Sequence, residues 1–149
     1  MSLERSISKF KKPIGSGASR NAYYSRKYGV VVKMMKKNPD FWLGDQNQKE
    51  IELFEKMKPA ERAATPMLGH GVYKGKTYII AERVKTFAKL RLSVPDFLDN
   101  PRYFKIRDIP EEYKTVFRFI KKYRISDTHA GNIGKTKDGR IVILDFGLS

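Results

Sequence analysis

Polar and apolar positions in the first half of the chain fall into short alternating or β-branched runs broken by glycine, and lengthen to helical spacing only later. Three strands are predicted before residue 37: Ile7 to Ile14, a second run leaving Gly15-Ser-Gly-Ala-Ser-Arg-Asn-Ala-Tyr-Tyr24, and Gly29-Val-Val-Val-Lys-Met-Met35. From Asp45 to Lys58 the stripe Ile51, Leu53, Phe54, Met57 predicts a helix with Asp45 as N-cap and Pro59 as its stop, and Phe41-Trp42-Leu43 before it reads as packing. Met67 to Tyr73 and Lys76 to Val84 predict two more strands joined at Lys74-Gly75. Residues 85–109 carry little pattern beyond a short helix at Pro95–Asp99. Pro110 to Tyr123 predicts a second full helix, with Tyr113, Val116, Phe117, Ile120 and Tyr123 on its apolar face. A last hairpin is expected from Ile133–Thr136 and Ile141–Leu144 around Lys137-Asp138-Gly139. The expected class is α+β: a five-stranded antiparallel sheet with one helix over residues 1–84, then a helix, a polar loop and a hairpin over 85–149, together one compact domain.

Composition narrows the setting. With 149 residues the chain can bury a core without staples, and with no cysteine it excludes disulfides and thiolate metal sites. The N-terminal residues lack the apolar core of a signal peptide and no run reaches membrane-spanning length, so a cytoplasmic protein without a membrane span is expected. The net charge of +15, from 31 basic and 16 acidic residues, calls for an acidic partner: nucleotide phosphates, an acidic protein surface, nucleic acid or an anionic membrane. The basic residues are spread in small clusters, such as Lys33, Lys36 and Lys37 or Arg118, Lys121, Lys122 and Arg124, and most of them read as solvated faces.

The chemistry concentrates in Ile125-Ser-Asp-Thr-His-Ala-Gly-Asn-Ile-Gly134 and in Ile141-Val-Ile-Leu-Asp-Phe-Gly-Leu-Ser149. Asp127 and Asn132 lie five residues apart, and the hairpin after them returns Asp145 towards Asn132. One carboxylate beside an amide oxygen and a second carboxylate suits a hard divalent cation and a transferring phosphoryl group. D-x-x-x-x-N followed by D-F-G resembles the catalytic loop and metal motif of the protein-kinase-like superfamily, and Asp-x-His-x-Gly-Asn is closer to its aminoglycoside and choline kinase-like branch. Upstream, Gly15-Ser16-Gly17 resembles the superfamily's Gly-rich phosphate flap, with Arg20 in place of its third glycine and Ala22 in place of its valine.

The resemblance implies a nucleotide-binding lobe over 1–84 and a reduced C-terminal lobe over 85–149. It implies ATP and Mg²⁺ (or Mn²⁺) as cofactors, with phosphoryl transfer to a protein hydroxyl, serine/threonine-type. Lys33 is then expected on the α/β-phosphates, paired with Glu50; Gly15, Ser16 and Gly17 over the phosphates; and Glu82 to Val84 as the adenine hinge. Asn132 and Asp145 are expected on the metal, Asp127 on the acceptor hydroxyl, and His129 on Asp127 or the γ-phosphate. Ile125-Ser126 stands where H-R is usual, and the sequence ends at Ser149 without an activation segment or large helical lobe. Two other functions follow from these departures and from the charge: a catalytically weak pseudokinase that binds and inhibits a partner, and a basic nucleic-acid-binding protein.

Overall fold

The computed structural model describes residues 7, 12–16, 20–36 and 45–146; Gly17, Phe41, Trp42, Leu43 and Gly147 lie outside them. The chain is α+β, and it divides into two units, Met1–Glu55 with Met67–Arg83, and Lys56–Pro66 with Val84–Ser149. Residues 56–66, grouped with the N-terminal region on sequence grounds, belong to the second unit.

In the first unit the β-branched run lies in an antiparallel sheet with Val31 and Val32 buried. Its strands are β2 (Arg20–Ser25), β3 (Val30–Met35), β4 (Met67–Tyr73) and β5 (Lys76–Ala81), with the two-residue β1 (Gly15–Ser16) extending the edge in the order β1-β2-β3-β5-β4. The β4–β5 turn is Lys74-Gly75, both at positive φ (49° and 77°), the conformation a two-residue hairpin requires. On β4, the missing side chain of Gly71 admits the ring of its cross-strand partner: a Cβ there would lie 2.4 Å from the Tyr78 hydroxyl. The expected strand from Ile7 to Ile14 is not formed in the described residues. Residues 8–11 of it lie outside the described residues; Lys12 to Ile14 are not part of a strand, and the Ile14 N–H donates to Ala22 O at 2.8 Å.

Helix α1 (Gln46–Lys56) starts as its N-cap predicts, with the Gln48 N–H donating to Asp45 Oδ1 at 3.0 Å. Its buried face is more polar than apolar: Gln46, Asn47 and Glu50 lie with Ile51 and Phe54. Pro59 does more than stop a helix, because it opens a second, the single turn α2 (Pro59–Arg62), where its missing N–H costs nothing.

The second unit holds a three-stranded antiparallel sheet, β6 (Lys85–Thr86), β7 (Ile133–Lys135) and β8 (Ile141–Ile143), in that order. Gly134 lets β6 approach β7: a Cβ there would meet Val84 Cγ1 at 2.4 Å and Lys85 O at 2.6 Å. Short turns α3 (Phe87–Leu90) and α4 (Asp96–Asp99) and three single 3₁₀ turns fill residues 87–113. Phe97 organises this stretch, edge-on to Phe104, Tyr113 and Phe117 with centroids 5.2–6.5 Å apart. Helix α5 (Lys114–Tyr123) begins after a 3₁₀ turn that uses the predicted Pro110 start, and it buries Val116, Phe117, Phe119 and Ile120. Arg124, in the left-handed region at φ 53°, ends it, and Ile125 N–H closes on Ile120 O at 3.0 Å.

Candidate functional site

The left-handed turn at Arg124 sends the chain out of α5 into the polar loop, and three bonds fix its course. Ala88 N–H on α3 donates to Ala130 O at 2.9 Å, Asn132 N–H closes a turn on His129 O at 2.9 Å, and the buried Thr128 hydroxyl donates to Asp99 at the end of α4. Within this frame His129 and Asp127 face each other. Gly131 N–H donates to His129 Nδ1 at 3.0 Å, so that nitrogen is an acceptor and the ring proton sits on Nε2, 3.1 Å from Asp127 Oδ1. Gly131 is required for this arrangement, since a Cβ would stand 2.8 Å from His129 Cε1. Asp127 is thereby oriented while its side chain stays 45 % exposed.

Asn132, 1 % exposed, is the centre of the site. Its Nδ2 donates to Asp127 O at 2.6 Å and to Asp145 O at 2.8 Å, and its Oδ1 accepts from Asp145 N–H at 2.7 Å. With Leu144 N–H on Asn132 O at 2.9 Å, one side chain and its own backbone hold the two acidic positions to each other across the hairpin. Phe146 anchors the far side, 2 % exposed and edge-on to Phe119 at 5.7 Å. The hairpin turn is secured by Asp138, which accepts from the Thr136 hydroxyl and from Arg140 Nη1 at 3.2 Å; the Thr136 bond first, then the Arg140 charge, hold its carboxyl below the usual range.

The donor set fits a hard cation. Asn132 Oδ1 keeps a second lone pair, Asp145 brings a carboxylate, and Mg²⁺ ordinarily takes one or two protein oxygens and completes its shell with water and phosphate. No cluster of three His, Cys, Asp or Glu exists among the described residues.

In the first unit the expected Lys33–Glu50 pair gives way to another. Glu50, 0 % exposed, accepts from Arg20 Nη2 at 2.6 Å, and Arg20 Nη1 also reaches Asn47 Oδ1 at 3.0 Å. Asn47 in turn donates to Lys33 O on β3 and Thr77 O on β5, each at 3.0 Å, so one buried amide ties α1 to β2, β3 and β5. Lys33 is itself buried, but the cation on Glu50 is Arg20, and Glu50 Oε1 has no hydrogen-bond partner in the described structure. The physical reason is reach: Arg20 comes from the neighbouring strand with a planar fork that serves Asn47 and Glu50 at once. Gly15 lies on the edge strand with open space where a Cβ would be, Ser16 continues β1, and Gly17 lies outside the described residues. Glu82 follows β5 in the first unit, whereas Val84 packs against Gly134 in the second.

Neither protein-family models nor curated proteins match this chain. Sequence reasoning named Asp127, His129, Asn132 and Asp145, which the fold brings together. It missed Arg20 and Asn47, although Asn47 shares a helix face with Glu50, Ile51 and Phe54, a spacing that signals buried polar groups.

Proposed function

We propose that this protein is an ATP- and Mg²⁺-dependent phosphotransferase of the protein-kinase-like superfamily acting on a protein hydroxyl. The observation that supports the reading is the pair of hydrogen bonds from Asn132 Nδ2 to the Asp127 and Asp145 backbone carbonyls, which ties the acidic position of the loop to that of the hairpin. Asn132 and Asp145 hold Mg²⁺, which supplies charge neutralisation on the phosphates. Asp127, oriented by the Nε2–H of His129, accepts the hydrogen bond of the attacking hydroxyl and takes its proton as the γ-phosphoryl group passes to oxygen, leaving ADP and a phosphoester. Lys33 serves the α/β-phosphates, Gly15 and Ser16 the phosphate flap, and Glu82 and Val84 the adenine edge.

One observation favours a second reading, a pseudokinase that binds a partner. Glu50 is held by Arg20, so the ion pair that positions a kinase lysine is made by another cation. Incubation with γ-labelled ATP and Mg²⁺, alone and with cell lysate, separates the two. Phosphotransfer predicts labelling by the wild type and, with Asp127→Ala, a loss of about a hundredfold or more at nearly unchanged ATP binding. Wild-type protein that binds Mg-ATP but labels nothing, or an Asp127→Ala protein that labels equally well, selects the binding module.

A further inference from the structure

The second unit carries a groove of about 600 Å³ between α2, the Lys105-Ile106 turn and α5. Four cations line it, Lys105, Arg118, Lys121 and Lys122, against one carboxylate, Glu61. That carboxylate is already taken, by Lys122 Nζ at 2.6 Å and by the Tyr123 hydroxyl. These two hydrogen bonds, Lys122's first, hold the Glu61 carboxyl below its ordinary range, so at neutral pH it is ionised and hydrogen-bonded to Lys122 and Tyr123. Lys121 Nζ donates only to a backbone carbonyl, Phe104 O at 3.2 Å, and no carboxylate pairs with Lys105 or Arg118 among the described residues. A cluster of like charges without counterions repels itself, and an anionic ligand relieves that repulsion.

The floor decides which anion. Ala60 is exposed and Ile106 half-buried, so aliphatic surface faces the groove, whereas Phe117 and Phe119 are each 1 % exposed and offer no ring face on which a base could stack. Single-stranded nucleic acid draws its affinity from stacking as well as phosphate contacts. A cationic rim over an aliphatic floor instead matches a polypeptide that alternates carboxylates with aliphatic side chains. We propose that this groove docks an acidic protein segment with aliphatic anchors, independently of any phosphoryl transfer.

The test is fluorescence anisotropy with a short labelled peptide of alternating glutamate and leucine. Its companions are the same peptide with serine for leucine, and labelled oligothymidylate. The groove variant is Lys105→Glu/Arg118→Glu. The control is Lys89→Glu/Lys137→Glu, which removes the same net charge at exposed positions that do not line the groove. The proposal expects the groove variant to weaken the glutamate–leucine peptide about tenfold and the control less than about twofold. It also expects the serine peptide to bind several-fold more weakly, with oligothymidylate equally affected by the two variants. Equal losses for both variants, equal binding of the serine peptide, no binding by the wild type, or oligothymidylate that depends specifically on Lys105 and Arg118 would each overturn it.

Discussion

Arg20 is the residue on which the first unit's polar core depends. Glu50 is fully buried with one oxygen lacking a hydrogen-bond partner among the described residues, and the Arg20 guanidinium 2.6 Å from the other compensates its charge. Arg20→Met should therefore cost about 3–5 kcal/mol in urea unfolding, the scale for stranding a buried carboxylate. Glu50→Gln placed in the Arg20→Met background should recover part of that loss, since a neutral amide removes the stranded charge. A single variant that loses less than about 1 kcal/mol, or a double that is worse than the single, would show that the pair is not what stabilises the helix–sheet contact. This residue was the hardest to read from sequence. In the sequence Arg20 is only a departure from the flap's third glycine, and its role appears when β2 brings it to Asn47 and Glu50 on α1. That Asp127, Asn132 and Asp145 come together was legible because the segment joining them is short, a loop and a hairpin. Even so, the sequence showed Asn132 only as a cation ligand, not as the clamp between two backbones.

At the scale of elements, the strands with β-branched runs and the two amphipathic helices were legible because each hides one face, and periodicity records that. Residues 85–109 were not: β6 is two residues long, and the 3₁₀ turns are fixed by Phe97 against rings distant in sequence. The turn α2 shows how such pieces are held. Glu61 bonds Lys122 and Tyr123 on α5, Arg140 Nε reaches Ala63 O at 3.3 Å, and Ile143 N–H reaches Ala64 O at 2.9 Å, so residues 61–64 are stitched to the helix and to β8. The Glu61 carboxyl lies below its ordinary 4.5, chiefly through the Lys122 bond and then the Tyr123 bond. A depressed folded value means that its contribution is complete above 4.5 and is lost as pH falls through the folded value. Tyr123 is raised above 10.0, chiefly by the same bond to Glu61, so its contribution is complete below 10.0 and disappears as pH rises through the folded value. Glu61→Gln should flatten both limbs of the urea midpoint plotted against pH, leaving the neutral plateau lower. A variant whose acid and alkaline limbs match the wild type would remove the carboxylate from any role in tying α2 to α5.

For the whole molecule the governing quantity is the net charge of +15. Two electrostatic effects compete, and salt distinguishes them by sign. Local pairs such as Lys122–Glu61 and Arg140–Asp138 attract, and screening weakens them; the excess of 31 basic over 16 acidic residues repels, and screening relieves it. The Debye length shrinks from about 30 Å at 0.01 M to about 10 Å at 0.1 M, so added salt first removes repulsion between distant lysines and reaches contact pairs last. Exposed pairs are also worth little individually, about 0–1 kcal/mol. Repulsion should therefore dominate, and the melting temperature should rise by several degrees as sodium chloride is raised from about 0.02 M to about 0.3 M. Over the same range the glutamate–leucine peptide should bind progressively more weakly, because the unpaired cations of the groove are among the charges being screened. A melting temperature that falls with salt would mean that the ion pairs outweigh the repulsion.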